Sequence, residues 1–199
     1  MIIAGITGAI GSGKTTVCKE WEKLGAALYY ADDEAKKLMV SDENLKRELV
    51  EAFGEETYQS DGSLNKNHLI REAFEKNRVE LLNSIVHPAV ARHFRLFCED
   101  ARNQGENLVI KEAALLLNKG RPKELNVVVM VLSDRDVRIK RVVERDGISD
   151  EKILERDRKQ PDFQQLQHLA DYIIHNNGTL EELKGKARDL YKQILENHQ

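Results

Sequence analysis

Gly8-Ala9-Ile10-Gly11-Ser12-Gly13-Lys14-Thr15-Thr16 is the stretch of this chain that decides its fold. It fits the spacing G-x-x-x-x-G-K-[ST] of a P-loop, in which backbone N–H groups and a lysine hold the phosphates of a nucleotide. An apolar run, residues 1–7, precedes it, and apolar positions at helical spacing follow it at Val17, Trp21 and Leu24. A strand, a glycine-rich loop and a helix are therefore predicted in the order that this motif requires.

The residue types of the loop explain how it would bind a polyphosphate. Glycine lets the backbone take positive φ angles and approach a phosphate closely, and the N–H groups at the start of a helix favour an anion. Lys14 is predicted to place its charge on the β- and γ-phosphates, and the Thr15 hydroxyl to ligate Mg²⁺. The residues predicted to bind the nucleotide are Gly8, Gly11, Ser12, Gly13, Lys14, Thr15 and Thr16.

The composition is that of one domain of ordinary size. The chain has 199 residues, 41% of them hydrophobic, and its 34 acidic side chains nearly balance 31 lysines and arginines. The net charge of -3 does not indicate the excess of basic residues that is typical of a nucleic-acid-binding protein. Neither a signal sequence nor a segment of membrane-spanning length is indicated. Cys18 and Cys98 are interpreted as buried or half-buried thiols in a reducing compartment, so we expect a cytoplasmic protein.

Short apolar runs between helical segments predict a parallel sheet with helices around it. After the first strand, further strands are predicted at residues 25–30, 107–110, 126–132 and 171–174. The third of these is the clearest, because a continuous β-branched run is typical of a strand buried on both faces. A last helix is predicted after the capping box Thr179 and Glu182, with a core stripe at Leu183, Ala187, Leu190 and Ile194.

An acidic cluster follows the second predicted strand, at the edge of the sheet where open α/β proteins bind ligands. It consists of Asp32, Asp33 and Glu34. One aspartate is expected to cap the helix of residues 34–40 and the other to take part in chemistry. Asp32 is the favoured chemical residue, which leaves Asp33 as the cap.

Residues 41–104 break the alternation of strands and helices, and they form a candidate helical insertion for an acceptor. Helices are predicted at 42–53, 66–75 and 78–102, with a turn or short hairpin at 57–64. Pro88 is expected to interrupt the last helix, and His87 beside it has a structural and a substrate-binding interpretation. The other histidines have no ligand spacing, so no metal beyond the Mg²⁺ of the nucleotide is indicated.

Two further predicted helices, on either side of Gly147, carry several arginines. The positions concerned are Arg138, Arg141 and Arg145 on the first helix and Arg156 and Gln160 on the second. Interleaved acidic residues favour a solvated, ion-paired surface. A lid that brings guanidinium groups over a transferring phosphate is the other interpretation, and the spacing alone leaves both open.

Taken together, these motifs resemble the dephospho-CoA kinase family over nearly the whole chain. The resemblance rests on the P-loop, Asp32, Val86-His87-Pro88, the pattern Arg141…Arg145-Asp146…Gln160, and Ala170-Asp171-Tyr172-Ile173-Ile174…Asn177-Gly178. It implies a P-loop nucleotide triphosphate hydrolase-like, three-layer α/β/α fold with a five-stranded parallel sheet, a helical insertion that binds the acceptor, and a lid. It would place the core of a single domain at about 1–40, 105–140 and 165–199, the insertion at about 41–104 and the lid at about 141–164.

The reaction implied is transfer of the γ-phosphate of ATP to the ribose 3′-hydroxyl of dephospho-coenzyme A, the last step of coenzyme A synthesis. The resemblance gives catalytic roles to Lys14, Asp32 and Arg141, nucleotide contacts to Arg145, Asn177 and Gly178, and acceptor contacts to Asp32, His87 and Pro88. A structural turn is the alternative for Asn177-Gly178. ATP, Mg²⁺ and dephospho-coenzyme A are the expected ligands, and neither nucleic acid, membrane nor an obligate protein partner is expected.

The chain departs from the family pattern in three places. Tyr30 stands where an Asp-x-Asp motif has its first aspartate, and Asn118 stands where a glutamate often follows the third strand. Glu112 is a candidate substitute for that glutamate. Asp33 is an additional acid, so the identity of the functional aspartate is ambiguous by one residue.

Other P-loop proteins remain as alternatives. The nearest is a nucleoside or nucleotide kinase with a different acceptor, and a non-catalytic nucleotide-binding module also stays open. A GTP-dependent switch needs N-K-x-D, whereas this chain has arginine at the last position of Asn118-Lys119-Gly120-Arg121. A mechanical ATPase usually ends a buried strand with an acid for Mg²⁺, but Ser133 comes before Asp134 here.

Overall fold

The chain forms two compact units, the first of Met1–Tyr30 with Asp100–Gln199 and the second of Ala31–Glu99. The structure is a computed structural model, and it describes residues 1–147, 149–158 and 160–198. The side chains of Asp150, Lys152 and Arg156 are outside that description. The second unit begins ten residues before the insertion expected from residue 41. The division into core, insertion and lid stays a prediction.

A parallel sheet forms the centre of the first unit. Its strands are β1 Ile2–Thr7, β2 Ala27–Tyr30, β3 Leu108–Glu112, β4 Val127–Leu132 and β5 Tyr172–His175. They lie in the order β2-β3-β1-β4-β5, and β4 is buried along its whole length. The predicted five-stranded parallel sheet is confirmed.

The helices are α1 Lys14–Lys23, α2 Ala31–Ser41, α3 Glu43–Phe53, α4 Lys66–Leu69, α5 Val79–Asn103, α6 Arg135–Asp146, α7 Asp150–Arg158 and α8 Leu180–Asn197. Short 3-10 segments lie at Glu55–Thr57 and Gln167–Leu169, and a π-helical segment at Ile70–Glu75. Among the described residues, no helix is both long enough and apolar enough to pass through a bilayer.

The core of the first unit is built from the sheet together with α1 and α8. Trp21 of α1 is fully buried, and its Nε1 donates to the carbonyl oxygen of Ala187 on α8 over 2.7 Å. The capping box of Thr179 and Glu182 is present, as predicted. The predicted stripe Leu183, Ala187, Leu190 and Ile194 is buried. This packing holds α1, and therefore the loop that leads into it, against the sheet.

The sequence prediction for the last helix of the second unit is wrong at Pro88. Pro88 does not interrupt α5, which runs unbroken through it. A proline inside a helix costs about 3 kcal/mol, and the apolar side chains of Leu82, Val86 and Val90, which are buried in this helix, offset that cost. The predicted helix at 66–75 is confirmed in its bounds, with an α-helical first part and a π-helical second part.

The prediction that Asp33 caps a helix beginning at residue 34 is also wrong. The chain enters α2 directly from β2, so Asp33 lies inside the first turn of that helix. Its Oδ1 accepts a hydrogen bond from Lys36 Nζ over 2.7 Å. Both side chains are mostly exposed, so this ion pair contributes little to stability.

Asp171 ties the start of β5 to the neighbouring strand. Its Oδ2 accepts from the N–H of Val128 over 2.7 Å, and its Oδ1 accepts from Arg121 Nη1 over 2.7 Å. Partial burial works to raise the pKa of Asp171, but the hydrogen bonds from Arg121 and Val128 outweigh it and hold the pKa below its ordinary value. The ionised carboxylate therefore stabilises the folded chain.

Asp171→Asn is expected to lower the free energy of unfolding by about 1–2 kcal/mol near neutral pH, because an amide replaces a charged acceptor that is partly exposed. The pKa is lower in the folded than in the unfolded chain. The contribution is thus complete above the unfolded value of about 3.9 and is lost as pH falls through the folded pKa.

Urea unfolding at about pH 7 and at about pH 2.5, which lies below the unfolded pKa, would measure this difference. The gap between the wild type and Asp171→Asn should narrow at the lower pH. Asp189→Asn, which changes an exposed carboxylate on α8, is the matched control and should show no comparable gap. A gap for Asp171→Asn that is the same at both pH values would contradict the assignment.

Candidate active site

The P-loop runs from β1 into α1, and glycines with positive φ give it its shape. The φ angles are +146° at Gly8, +77° at Gly11 and +105° at Gly13. A Cβ at Gly8 would lie 2.2 Å from the carbonyl oxygen of Val131, and one at Gly13 would lie 2.5 Å from Asn176 Nδ2. The loop therefore packs so closely on the ends of β4 and β5 that a side chain is excluded at both positions.

A cavity of about 240 Å³ lies against the loop. Its lining residues are Ile10, Gly11, Gly13, Lys14, Thr15, Thr16, Arg141, Val142 and Arg145. The fold thus brings two of the arginines singled out in the sequence to the same cavity as the loop. Backbone N–H groups at the start of α1 and three cationic side chains suit this cavity to an anion.

Two of the predicted phosphate-binding residues are not among those lining residues. Gly8 lies against β4, and Ser12 is fully buried. The Ser12 carbonyl oxygen accepts from Asn176 Nδ2 over 2.7 Å. These two residues support the shape of the loop in this structure.

The Lys14 ammonium lies beside its own loop. Its Nζ donates to the carbonyl oxygens of Gly8 and Ala9 over 2.8 and 3.3 Å. Glu112 Oε1 is 3.9 Å from the same Nζ, and the two side chains are only 11% and 14% exposed. Lys14 is therefore held at the loop, with an acid next to it.

Glu112 reaches this position because of the sheet register. It is the last residue of β3 and is paired with Ile6 on β1 and with Tyr30 on β2. Glu112 therefore lies at the edge of the sheet where the parallel strands end. Asn118, the position where the resemblance led us to expect a glutamate, lies farther along the chain in a bridge with Gly120. Of these two residues, Glu112 is the one in contact with the P-loop lysine.

Arg141 is held by the segment that follows β5. Its Nη1 donates to the Asn176 carbonyl oxygen over 2.9 Å, and its Nη2 donates to the Gly178 carbonyl oxygen over 3.0 Å. The Ser133 hydroxyl lies 3.3 Å from Nη1. These bonds fix the guanidinium at the cavity wall.

Arg145 is paired differently. Its Nε and Nη2 donate to the two carboxylate oxygens of Asp146 over 2.6 and 2.9 Å, and these bonds raise the pKa of the guanidinium above its ordinary value. The Arg145 side chain is 62% exposed. An exposed ion pair is weak, so a phosphate could replace Asp146 at small cost.

The segment after β5 contains one residue that the sequence analysis missed. Asn176 is buried and bonds both the P-loop and Arg141, whereas the prediction named Asn177 and Gly178. The Asn177 Oδ1 accepts from the Asp134 N–H over 2.8 Å, which is a structural contact at the start of α6. The polar run at the end of the predicted strand was the available signal, but it did not identify which asparagine would face inward.

The remaining predicted residues lie in the second unit or outside the described part. Asp32 is exposed in the first turn of α2, and His87 and Pro88 are exposed within α5. The side chain of Arg156 lies outside the described residues.

Comparisons with known proteins agree with one another. A sequence profile of the dephospho-CoA kinase family matches residues 2–182. A dephospho-CoA kinase of Salinibacter ruber is 40% identical over 192 residues, which are 96% of this chain and 96% of that protein. The match therefore extends well beyond the P-loop.

Solved structures are similar over the same length. The Thermus thermophilus protein TT1252 has a TM-score of 0.76 and 32% identity, and the match covers 96% of this chain and 97% of that one. A dephospho-CoA kinase from Campylobacter jejuni has a TM-score of 0.72 at 19% identity, with 99% and 98% covered. At that identity the second likeness concerns the fold alone.

Proposed function

This chain belongs to the dephospho-CoA kinase family, and on that premise we propose that it transfers the γ-phosphate of ATP to the ribose 3′-hydroxyl of dephospho-coenzyme A. The products are coenzyme A and ADP. The observation that carries the proposal is the cavity that Lys14, Arg141 and Arg145 share with the P-loop. Phosphoryl transfer depends on such positioned positive charge, because the transferring group gathers negative charge on its oxygens.

Lys14 and the loop backbone hold the nucleotide phosphates in this proposal. The bonds from Nζ to the Gly8 and Ala9 carbonyl oxygens keep the ammonium at the loop. Since a lysine side chain is flexible, the same ammonium can turn to the β- and γ-phosphates. Its charge acts most strongly where little water competes, and the Lys14 side chain is only 11% exposed.

Mg²⁺ is part of the proposal, with Thr15 as its protein ligand. Among the described residues, no group of three or more histidines, cysteines, aspartates or glutamates could hold a metal. Mg²⁺ commonly binds through one or two protein oxygens together with phosphates and water. Thr15 lines the cavity, and its hydroxyl oxygen is a ligand of that kind. When bound, the ion neutralises charge on the β- and γ-phosphates.

Arg141 and Arg145 have separate roles in the proposal. Arg141 connects the cavity to the carbonyl groups of Asn176 and Gly178, so it positions the segment after β5 relative to the phosphates. Arg145 can exchange its bonds to Asp146 for bonds to the transferring phosphate. A guanidinium suits this purpose because its planar fork matches the oxygens of a phosphate.

The acceptor side of the proposal rests on the second unit. Asp32 is proposed to orient the ribose hydroxyl and to accept its proton, and His87 and Pro88 to contact the acceptor. A hydroxyl is a weak nucleophile at neutral pH, so a carboxylate within hydrogen-bond reach is the group the reaction needs. The resemblance at Asp32 and at Val86-His87-Pro88 supports these assignments.

ADP release with a panel of acceptors tests the reaction. Dephospho-coenzyme A is expected to have a kcat/KM at least about a hundredfold above that of any nucleoside monophosphate or pantothenate derivative, because a site built to bond one acceptor rejects those that leave its polar groups unpaired. A nucleoside monophosphate that proves the better substrate would favour the nearest alternative, a kinase with another acceptor. ADP release that is independent of any acceptor would indicate an ATPase.

A further inference from the structure

We propose that Arg138, Asp157 and Gln160 are positioning residues that hold the P-loop at Ile10 and thereby set the loop and the arginines of α6 in one arrangement for phosphate binding. We refer to these three side chains as the Ile10 clamp. The inference rests on the proposed function only in requiring that the loop binds a nucleotide.

Both backbone polar groups of Ile10 are bonded by distant side chains. The Ile10 N–H donates to Gln160 Oε1 over 2.8 Å, and the Ile10 carbonyl oxygen accepts from Arg138 Nη1 over 3.2 Å. Gln160 lies just after α7, and Arg138 lies on α6. A loop residue outside the sheet ladder depends on such partners for its N–H and carbonyl groups, so these bonds restrict the conformation of the loop.

Asp157, on α7, bonds two arginines of α6. Its Oδ1 accepts from Arg138 Nη1 over 2.6 Å, and its Oδ2 accepts from Arg135 Nε over 3.2 Å. The Arg138 and Asp157 side chains are 11% and 13% exposed. Because water competes little there, this charged pair holds its geometry better than an exposed pair would. Movement of α7 is thereby coupled to the loop.

The position of the Ile10 clamp indicates that it acts through the loop. Arg138, Asp157 and Gln160 line a neighbouring cavity of about 260 Å³, whereas Ile10 lines the cavity at the loop together with Arg141. Arg138 precedes Arg141 by one turn of the same helix. The clamp therefore fixes the position of the loop N–H groups relative to the guanidinium groups. This matters for binding, because dipoles and charges that are already in place stabilise an anion best.

The decisive variant is Gln160→Met, which removes the acceptor oxygen and keeps the length of the side chain. We expect the Kd for ADP, measured by isothermal titration calorimetry, to rise about tenfold, because the loop N–H loses its partner. The KM for ATP should rise similarly, while the melting temperature and the KM for the acceptor stay near the wild-type values. A variant that merely lost folded protein would lower kcat and leave both constants unchanged.

Gln164→Met is the matched control. Gln164 lines the same neighbouring cavity as Gln160, and its Oε1 accepts from Gln167 Nε2. This variant should bind ADP like the wild type. Wild-type affinity in Gln160→Met, or an equal loss in both methionine variants, would overturn the inference.

If Gln160→Met does not fold, hydrogen exchange in the wild-type protein tests the inference instead. The Ile10 amide is then expected to be protected from hydrogen exchange in NMR spectra, and exchange at the rate of an unfolded chain would overturn the inference. ADP binding involves no acceptor. A failure of the acceptor assignment would therefore show in the ADP-release panel and leave these measurements unaffected.

Discussion

Lys14→Ala is expected to lower turnover by about a thousandfold while the protein remains folded. Removing one charged or polar group that stabilises a transition state costs on the order of 10²–10³ in kcat, and Lys14 carries a full charge at a largely enclosed position. Its effect should be on kcat more than on the KM for ATP, because the loop N–H groups remain to bind the phosphates. Turnover and the melting temperature should be measured on the same preparation.

Lys19→Ala is the control for this experiment. Lys19 lies on the same helix, α1, and is exposed, so its removal takes away one positive charge without touching the loop. It should retain the turnover of the wild type. A folded Lys14→Ala protein with near-normal turnover would refute the assignment of the P-loop as the phosphate site.

Asp32→Asn is expected to lower turnover by at least about a hundredfold, which is the usual scale of general-base catalysis. The amide keeps the shape of the side chain but cannot take the proton of the ribose hydroxyl. The affinity for ATP should change little, because the phosphates are held by the loop. Turnover and ATP binding therefore have to be measured separately.

Asp33→Asn supplies the matched control, because the two aspartates are adjacent in the first turn of α2. The Asp33 carboxylate pairs with Lys36 on the exposed surface, so its loss should change both stability and turnover little. An inactive Asp33→Asn beside an active Asp32→Asn would reverse the assignment. Full activity in both would direct attention to Glu112, the acid next to Lys14.

Local patterns predicted the elements of this fold well. The P-loop spacing, the β-branched run of β4 and the capping box of α8 each involve residues within a few positions of one another, so their structural meaning can be read from a short window. The same reasoning failed at α5. A proline usually ends a helix, but burial of neighbouring side chains outweighed that local rule.

The cavity could be predicted only in part. The sequence indicated the loop and the arginines of α6, but the spacing did not distinguish a solvated helix face from a lid. In the tertiary structure Arg141 and Arg145 lie at the same cavity as the loop. Their placement depends on how α6, the helix that follows β4, is oriented relative to the loop, and no local sequence pattern encodes that orientation.

The sequence by itself determined that this protein has a nucleotide-binding loop between a buried strand and a helix, and that its motifs follow one kinase family. Only the tertiary structure decided which polar groups hold that loop. Asn176 reaches Ser12 across 164 positions of the chain, and Gln160 reaches Ile10 across 150. Asn176 reaches the loop because the parallel strand order brings the ends of β1, β4 and β5 together at one edge of the sheet. Gln160 reaches it because Asp157 of α7 is bonded to Arg138 of α6, so that residues distant in sequence satisfy one another's hydrogen bonds.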